Sequence, residues 1–257
     1  MRIDLYTITW NERRLLSFFL DYYAPWVDRV VAFDDDSDDG TAETLAAHPK
    51  VELRSLPPKG TSFVLTALEI WRHAWKESRG RADWVVVTNV DEFVYHPSGM
   101  REYLARCTER GVTMIHPRGY EMVGDRFPDA GQSLVDHVRM GAPMFGQDKR
   151  QVFDPTAIED MNYGPGRHEC RPVGRVVEPA DVEASLLHYK YVDTHTYLLR
   201  RQKALARRML ATDRSSGFGV QYHLTPQQML RSFEWLKLHA SEVVAREASS
   251  RPRGLDN

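Results

Sequence analysis

The sequence predicts an α/β fold with a mainly parallel central sheet flanked by helices and closed by C-terminal helices. Two observations predict it. Stretches of strand length alternate with stretches of helical periodicity through the first hundred residues, joined by short connections, which favours right-handed crossovers and parallel pairing. One stretch, "ADWVVVTNV" (82–90), is almost continuously apolar, as a strand covered on both faces must be.

The elements follow in order. "IDLYTIT" (3–9) reads as the first strand, and "NERRLLSFFLDYY" (11–23) as a helix with Asn11 at its N-cap. "DRVVAF" (28–33) is the second strand, "TAETLAAH" (41–48) a short helix and "VELRSL" (51–56) the third strand. "SFVLTALEIWRHAWKES" (62–78) places Val64, Leu68, Trp71 and Trp75 at helical spacing. After residue 95 the pattern loosens, and 125–180 is rich in Gly, Pro, Asp and Arg, the composition of long functional loops with short strands such as "RQVFD" (150–154). A helix over 194–211 carries Leu198, Gln202, Leu205 and Met209 on one side and basic residues on the other. The last helix opens at Thr225, with Pro226 first and Gln228 completing a capping box, and its apolar stripe is Met229, Phe233, Leu236, Ala240 and Val243. "SSRPRGLDN" reads as a disordered tail.

With 257 residues, 34 basic and 36 acidic, the chain has no basic excess, so no nucleic-acid partner is expected. Its two cysteines cannot build a Cys-rich zinc site. No apolar run reaches membrane-spanning or signal-peptide length, so a soluble, cytoplasmic protein is expected.

The chemistry concentrates at strand ends. "VVAFDDDSDDGT" (30–41) runs an apolar strand into five aspartates within six positions. A calcium loop would need a bidentate Glu where Ala46 stands, and it would follow a helix rather than a strand. Helix capping accounts for one acid, Asp39 being best placed, but not for Asp34 and Asp35. Those two sit at the carboxyl end of the strand, where open α/β sheets bind ligands and where a carboxylate can accept from base N–H or ribose hydroxyl groups.

"FDDDSDDGT" resembles the strand-end motif of GT-A (Rossmann-like) glycosyltransferases, particularly those of family 2, and "YTITWNERRLLSFFLDYY" resembles the first strand and helix of that family. The resemblance implies that Asp35 and Asp34 hold the nucleotide of a nucleotide-diphosphate sugar donor. The Thr7–Thr9 strand end, followed by Asn11 and Glu12, would line the same pocket. Asp36 stands where the family has Gly. "NVDEF" (89–93) resembles the Asp-x-Asp-Glu-Phe form of bacterial relatives of family 92, with Asn89 replacing the first acid. Asp91 is then the ligand of a divalent metal, Mn2+ or Mg2+, and Asn89 a binder of ribose or water. His188, before a basic helix, is implied to complete the metal shell.

Four residues compete as the general base that deprotonates an acceptor hydroxyl: His168, Glu169, Asp160 and Glu121. Lys149, Arg150, Arg171 and Lys190 are candidates for the diphosphate, with Lys190 favoured for its closeness to His188. The run Arg200, Arg201, Lys203, Arg207 and Arg208 reads as a solvated helix face. By this resemblance residues 1–100 form the donor-binding half of one domain, 101–212 its acceptor and metal-completing half, and 213–257 a C-terminal helix and tail. The expected function is inverting, metal-assisted glycosyl transfer. The rivals are a nucleotidyltransferase, whose first loop is usually Gly-rich unlike "TWNERR", and a non-catalytic sugar-nucleotide binder. A scaffold with merely solvated acidic loops is a third alternative.

Overall fold

The computed structural model describes residues 1–245, so the C-terminal tail read as disordered lies outside the described residues. In chain order the first half runs β1 (Ile3–Thr9), α1 (Arg13–Tyr23), β2 (Arg29–Asp34), α2 (Thr41–Ala46), β3 (Val51–Ser55), α3 (Phe63–His73), β4 (Trp84–Val87), β5 (Glu92–Tyr95) and α4 (Met100–Glu109). Then come β6 (Met114–Ile115), β7 (Arg118–Gly124), α5 (Leu134–His137), β8 (Met140–Pro143), β9 (Val152–Phe153), β10 (Ile158–Asp160), β11 (Val173–Gly174) and β12 (Ser185–Val192). The C-terminal part is α6 (Leu199–Arg208), α7 (Ala211–Ser215), α8 (Pro226–His239) and β13 (Ser241–Glu242).

Two sheets carry the fold. The first has the order β3-β2-β1-β4-β9-β6, with β3, β2, β1 and β4 all parallel and β9 antiparallel to both its neighbours. This is the expected Rossmann-like α/β arrangement, a mainly parallel sheet between helices. The second has the order β13-β8-β7-β12-β5 and keeps a single parallel pairing, β7 with β12. Both faces of the parallel block are packed: Leu15, Leu16 and Phe19 of α1 join one apolar cluster, and Leu68, Trp71 and Trp75 join another. Burial on both faces accounts for the unbroken apolar run of β4, Trp84 to Val87. Among the described residues no helix is long and apolar enough to cross a membrane.

Several boundaries move for local reasons. Asn11 is not the N-cap: it adopts φ +51°, and Glu12 holds that position. The helix expected over 62–78 becomes α3 followed by a 3-10 turn at Ala74–Ser78. The helix expected over 194–211 divides into a π turn (Thr194–Leu198), α6 and the separate α7. The strand expected over 82–90 shortens to β4, because Thr88 to Asp91 turn out of the sheet towards β5. The capping box at Thr225 and Gln228 is present, and Met229, Phe233 and Leu236 are buried.

Candidate active site at the strand ends

The carboxyl ends of β1 and β2 lie in register, Thr9 opposite Asp34, and the acidic loop begins there. Most of its acids hold the loop itself. Asp34 accepts from the Thr9 hydroxyl at 3.1 Å, from the Ser37 amide at 2.9 Å and from the Ser37 hydroxyl at 2.6 Å. Asp39 accepts from the Thr41 amide at 3.0 Å and the Arg13 amide at 3.1 Å, so it serves the first turn of α1 as well as that of α2. Ser37 and Thr41 add acceptors for the amides of Asn11 and Glu12, both at 2.9 Å. The loop therefore caps a helix that precedes it by some 25 residues, satisfying N–H groups that have no partner inside α1. Asn11 spends its side chain on the loop too, exchanging hydrogen bonds with Asp38. Asp36 takes φ +54°, a conformation that explains why glycine suits this position in the resembling family.

Asp35 is different. It is buried, its amide donates to Thr9, and its carboxylate faces two cations rather than the loop. Lys59 lies 2.6 Å away and Arg208 2.8 Å away, and Arg208 also donates to the Asp35 carbonyl at 2.6 Å. The Arg208 guanidinium stacks 4.2 Å above the Trp10 ring.

The second group of acids is assembled by sheet register. His188 on β12 stands opposite Glu92 on β5 and opposite Glu121 on β7, so the three side chains form one row across the second sheet. His188 Nδ1 is 2.9 Å from Glu121, and its Nε2 is 3.4 Å from Asp91 Oδ2. Burial alone would lower the His188 pKa, but Glu121 and Asp91 outweigh it and raise it to about 9. Burial would raise the Asp91 carboxyl, yet His188 and Arg201 hold it well below the ordinary aspartate range. Glu121 also receives Gln147 at 3.1 Å, while its second oxygen is buried without a hydrogen-bond partner among the described residues.

Glu92 is fully buried and takes Lys149 at 2.7 Å and Arg167 at 2.5 Å. Burial opposes its ionisation, but these two cations lower its pKa to about 2. The Asn89 amide donates to Glu92 at 2.9 Å and accepts from Arg167 at 3.4 Å. An aspartate at position 89 would set a second negative charge against Glu92, so the amide has a structural reason to be there. Glu12 joins the site through Arg201, which bridges it to Asp91 Oδ2 at 3.2 Å. Burial raises the Glu12 pKa to about 7 despite Arg201.

Of the sequence-derived candidates, Thr9, Glu12, Asp34, Asp35, Asn89, Asp91, Glu121, Lys149 and His188 thus gather at this edge. Thr7, next but one along β1, is buried with its hydroxyl unpartnered among the described residues. Lys190 is half-buried with its ammonium 5.2 Å over the Tyr191 ring, and burial lowers its pKa. His168 sits on the exposed rim with Nδ1 at 2.7 Å from the Gly146 carbonyl; partial desolvation of its ring by the surrounding chain and the Lys149 charge lower its pKa. Asp160 pairs with Lys76 at 2.5 Å, and the exposed Glu169 lines a separate cavity with Arg72, Cys170 and Arg171; neither contacts the Asp91–His188 pair. Arg150 is paired with Glu178 at 2.6 Å.

Arg201, Arg208, Arg167 and Glu92 were not legible as site residues. Spacing held no signal for Arg201 and Arg208: they are seven residues apart and so share one helix face, but Arg200 and Arg207 have the same spacing and face solvent with Lys203.

A Rossmann-like α/β chain with carboxylates and an imidazole converging at the carboxyl edge of its parallel strands is the class that fold and site define. No family model matches the chain. Over 142 residues it is 30% identical to an uncharacterised protein of Mycobacterium tuberculosis and equally to one of Mycobacterium bovis. Those matches cover 50% of this chain and 33% of each relative, so the chain spans about a third of the length of the curated relatives it matches. Among solved structures it is similar to mannosyl-3-phosphoglycerate synthase from Rubrobacter xylanophilus, at 19% identity and TM-score 0.34 over 48% of this chain and 41% of that one. It is also similar to glucosyl-3-phosphoglycerate synthase from Mycobacterium tuberculosis in complex with Mn2+, UDP and glucosyl-3-phosphoglycerate, at 16% identity and TM-score 0.32 over 47% and 44% of the two chains. A third is 4-diphosphocytidyl-2C-methyl-D-erythritol synthase from Anaerococcus prevotii, at 13% identity and TM-score 0.33 over 60% and 71%. Likenesses this distant carry no weight on activity.

Proposed function

We propose that the chain is a glycosyltransferase of the GT-A type that moves a sugar from a nucleotide-diphosphate donor to an acceptor hydroxyl with the help of a divalent metal. The finer placement, family 2-like with bacterial relatives of family 92, rests on the motifs alone. The observation that supports the reading is the approach of His188 Nε2 to within 3.4 Å of Asp91 Oδ2 beside the strand end that presents Asp35. Two sheets and three distant stretches of chain are needed to make that constellation.

The residues fit a metal. Asp91, Glu92 and His188 can each offer one ligand atom, all within 4.8 Å of one another. Glu92 is tied to Lys149 and Arg167, which leaves Asp91 and His188 as the protein's ligands, an oxygen and imidazole set suited to Mn2+ or Mg2+ with further oxygens from phosphate and water. When bound, such an ion would neutralise charge growing on the departing nucleoside diphosphate. The protein's own groups supply the rest. Asp35 accepts N–H or hydroxyl donors of the nucleoside. Glu121 is held through one oxygen, and its second, buried and without a hydrogen-bond partner among the described residues, is assigned to take the acceptor's proton once the acceptor reaches it. Lys190, whose ammonium lies over the Tyr191 ring and makes no ion pair with an acid among the described residues, is assigned to a phosphate oxygen.

Incubation with UDP-, GDP-, CDP- and TDP-sugars and manganese should release nucleoside diphosphate from one donor. Asp91→Asn should slow that release by on the order of a hundredfold, about 2.7 kcal/mol of barrier. Failure to bind or turn over any of the four would sink the reading.

A further inference from the structure

We propose that α6 is a latch that competes with the donor for its own site, with Arg208 in the nucleoside's place on Asp35 and Arg201 in the cation's place on Asp91. The inference rests on the proposed roles of Asp35 and Asp91 and goes beyond them, to how the site is opened.

The two arginines lie two helical turns apart and turn to the same side, one to each carboxylate. Arg208 makes the contacts a nucleobase would make there: a flat group stacked on Trp10 and donating N–H to the Asp35 carboxylate and carbonyl. Arg201 Nη1 and His188 Nε2 converge on the same oxygen, Asp91 Oδ2, so positive charge already stands where a divalent ion would be ligated. A base taking the Asp35 atoms that Arg208 holds, or a cation taking Asp91 Oδ2, would displace these guanidinium groups.

The helix is built to leave. The side chains of Arg201 and Arg208 keep 20% and 26% of their surface in solvent while Asp91 and Asp35 keep 8% and 4%, so each guanidinium has a direct path to water when another partner takes its carboxylate. Arg208 Nη1 is buried without a hydrogen-bond partner among the described residues, so its fit is incomplete. On the N-terminal side α6 follows a π turn entered through Asp193 at φ +52°, and on the other side it is followed by the break at Met209–Leu210. Beyond that break the chain is anchored: Asp213 is buried, accepts from the Ser62 hydroxyl, and takes the Phe63 amide at 3.0 Å. The moving part is thus one short helix between a π turn and a fixed pin.

A latch of this kind lowers apparent donor affinity by the fraction of time the site is open, so removing it should tighten binding. Calorimetric titration of UDP and of GDP with MnCl2 should show Arg208→Gln binding the preferred nucleotide more tightly than the wild type, by about fivefold or more. Mn2+ alone should bind Arg201→Gln more tightly. In the wild type, amide hydrogen exchange over 199–208 should quicken when nucleotide and Mn2+ are added; this arm decides the matter if a variant does not fold. Equal or weaker binding by Arg208→Gln, or slower exchange in α6, means the arginines grip the donor or hold the fold, and overturns the latch while the transferase reading stands. Absence of nucleotide binding in every form overturns both.

Discussion

The acids after β2 and the acids after β4 carry the same charge at the same edge of one sheet, yet they are used in opposite ways. Asp34 and Asp39 satisfy backbone and hydroxyl groups within about thirty residues of themselves. Asp91 and Glu92 meet partners brought from 57 to 110 residues away: Lys149, Arg167, His188 and Arg201. Where an acid cluster faces its own loop it builds shape; where it faces remote cations and an imidazole it builds a site. Asp35 belongs with the second group despite its position in the first, since Arg208, 173 residues away, is its partner alongside the nearer Lys59.

The largest effect that tests this contrast is expected at Glu92. Glu92→Gln leaves Lys149 and Arg167 buried without their anion, and should cost about 3–5 kcal/mol in urea unfolding. A loss below about 1 kcal/mol would show that the triad is solvated and that Glu92 is free to serve as a ligand.

The next effect is a pH dependence, measured with chelator present. His188 has a folded pKa of about 9, above its ordinary value, so its contribution to stability is full below about pH 6.5 and is lost as pH rises through about 9. The contribution is on the order of 3 kcal/mol. His188→Gln should flatten the alkaline limb of the stability curve; an alkaline limb that persists unchanged would place the titrating group elsewhere. The smallest effect belongs to the loop that builds shape. Asp39→Ala should cost about 1 kcal/mol through two lost helix-start acceptors, whereas Asp36→Gly should cost nothing or stabilise slightly at its left-handed position. Equal thermal shifts for the two would deny the loop its capping role.

The half of the molecule where partners are close in sequence was the half that could be read. Strand and helix periods place β1 to β4, and the strand-end acids point to the edge where the candidate residues gather. The capping role of Asp39 was half visible, because α2 follows it directly while α1 reaches it only through parallel pairing of β1 with β2. Glu121 was one of four equal candidates from sequence; only the register of β7 and β12 sets it beside His188. Arg201 and Arg208 looked like surface because a basic helix face and a site-facing one share the same seven-residue spacing, and the difference lies in what the helix covers. Arg167 could not be read at all, since it reaches Glu92 from a left-handed residue at φ +59° and lies 4.5 Å over Trp71.

The pin between Asp213 and the start of α3 has a consequence for how this chain can vary. Ser62 and Asp213 are 151 positions apart and buried together, so replacing either alone strands a polar group in the interior and frees the first turn of α3. Drift at one position is therefore conditional on the other, and relatives that retain the α6–α7 segment should show the two changing as a pair.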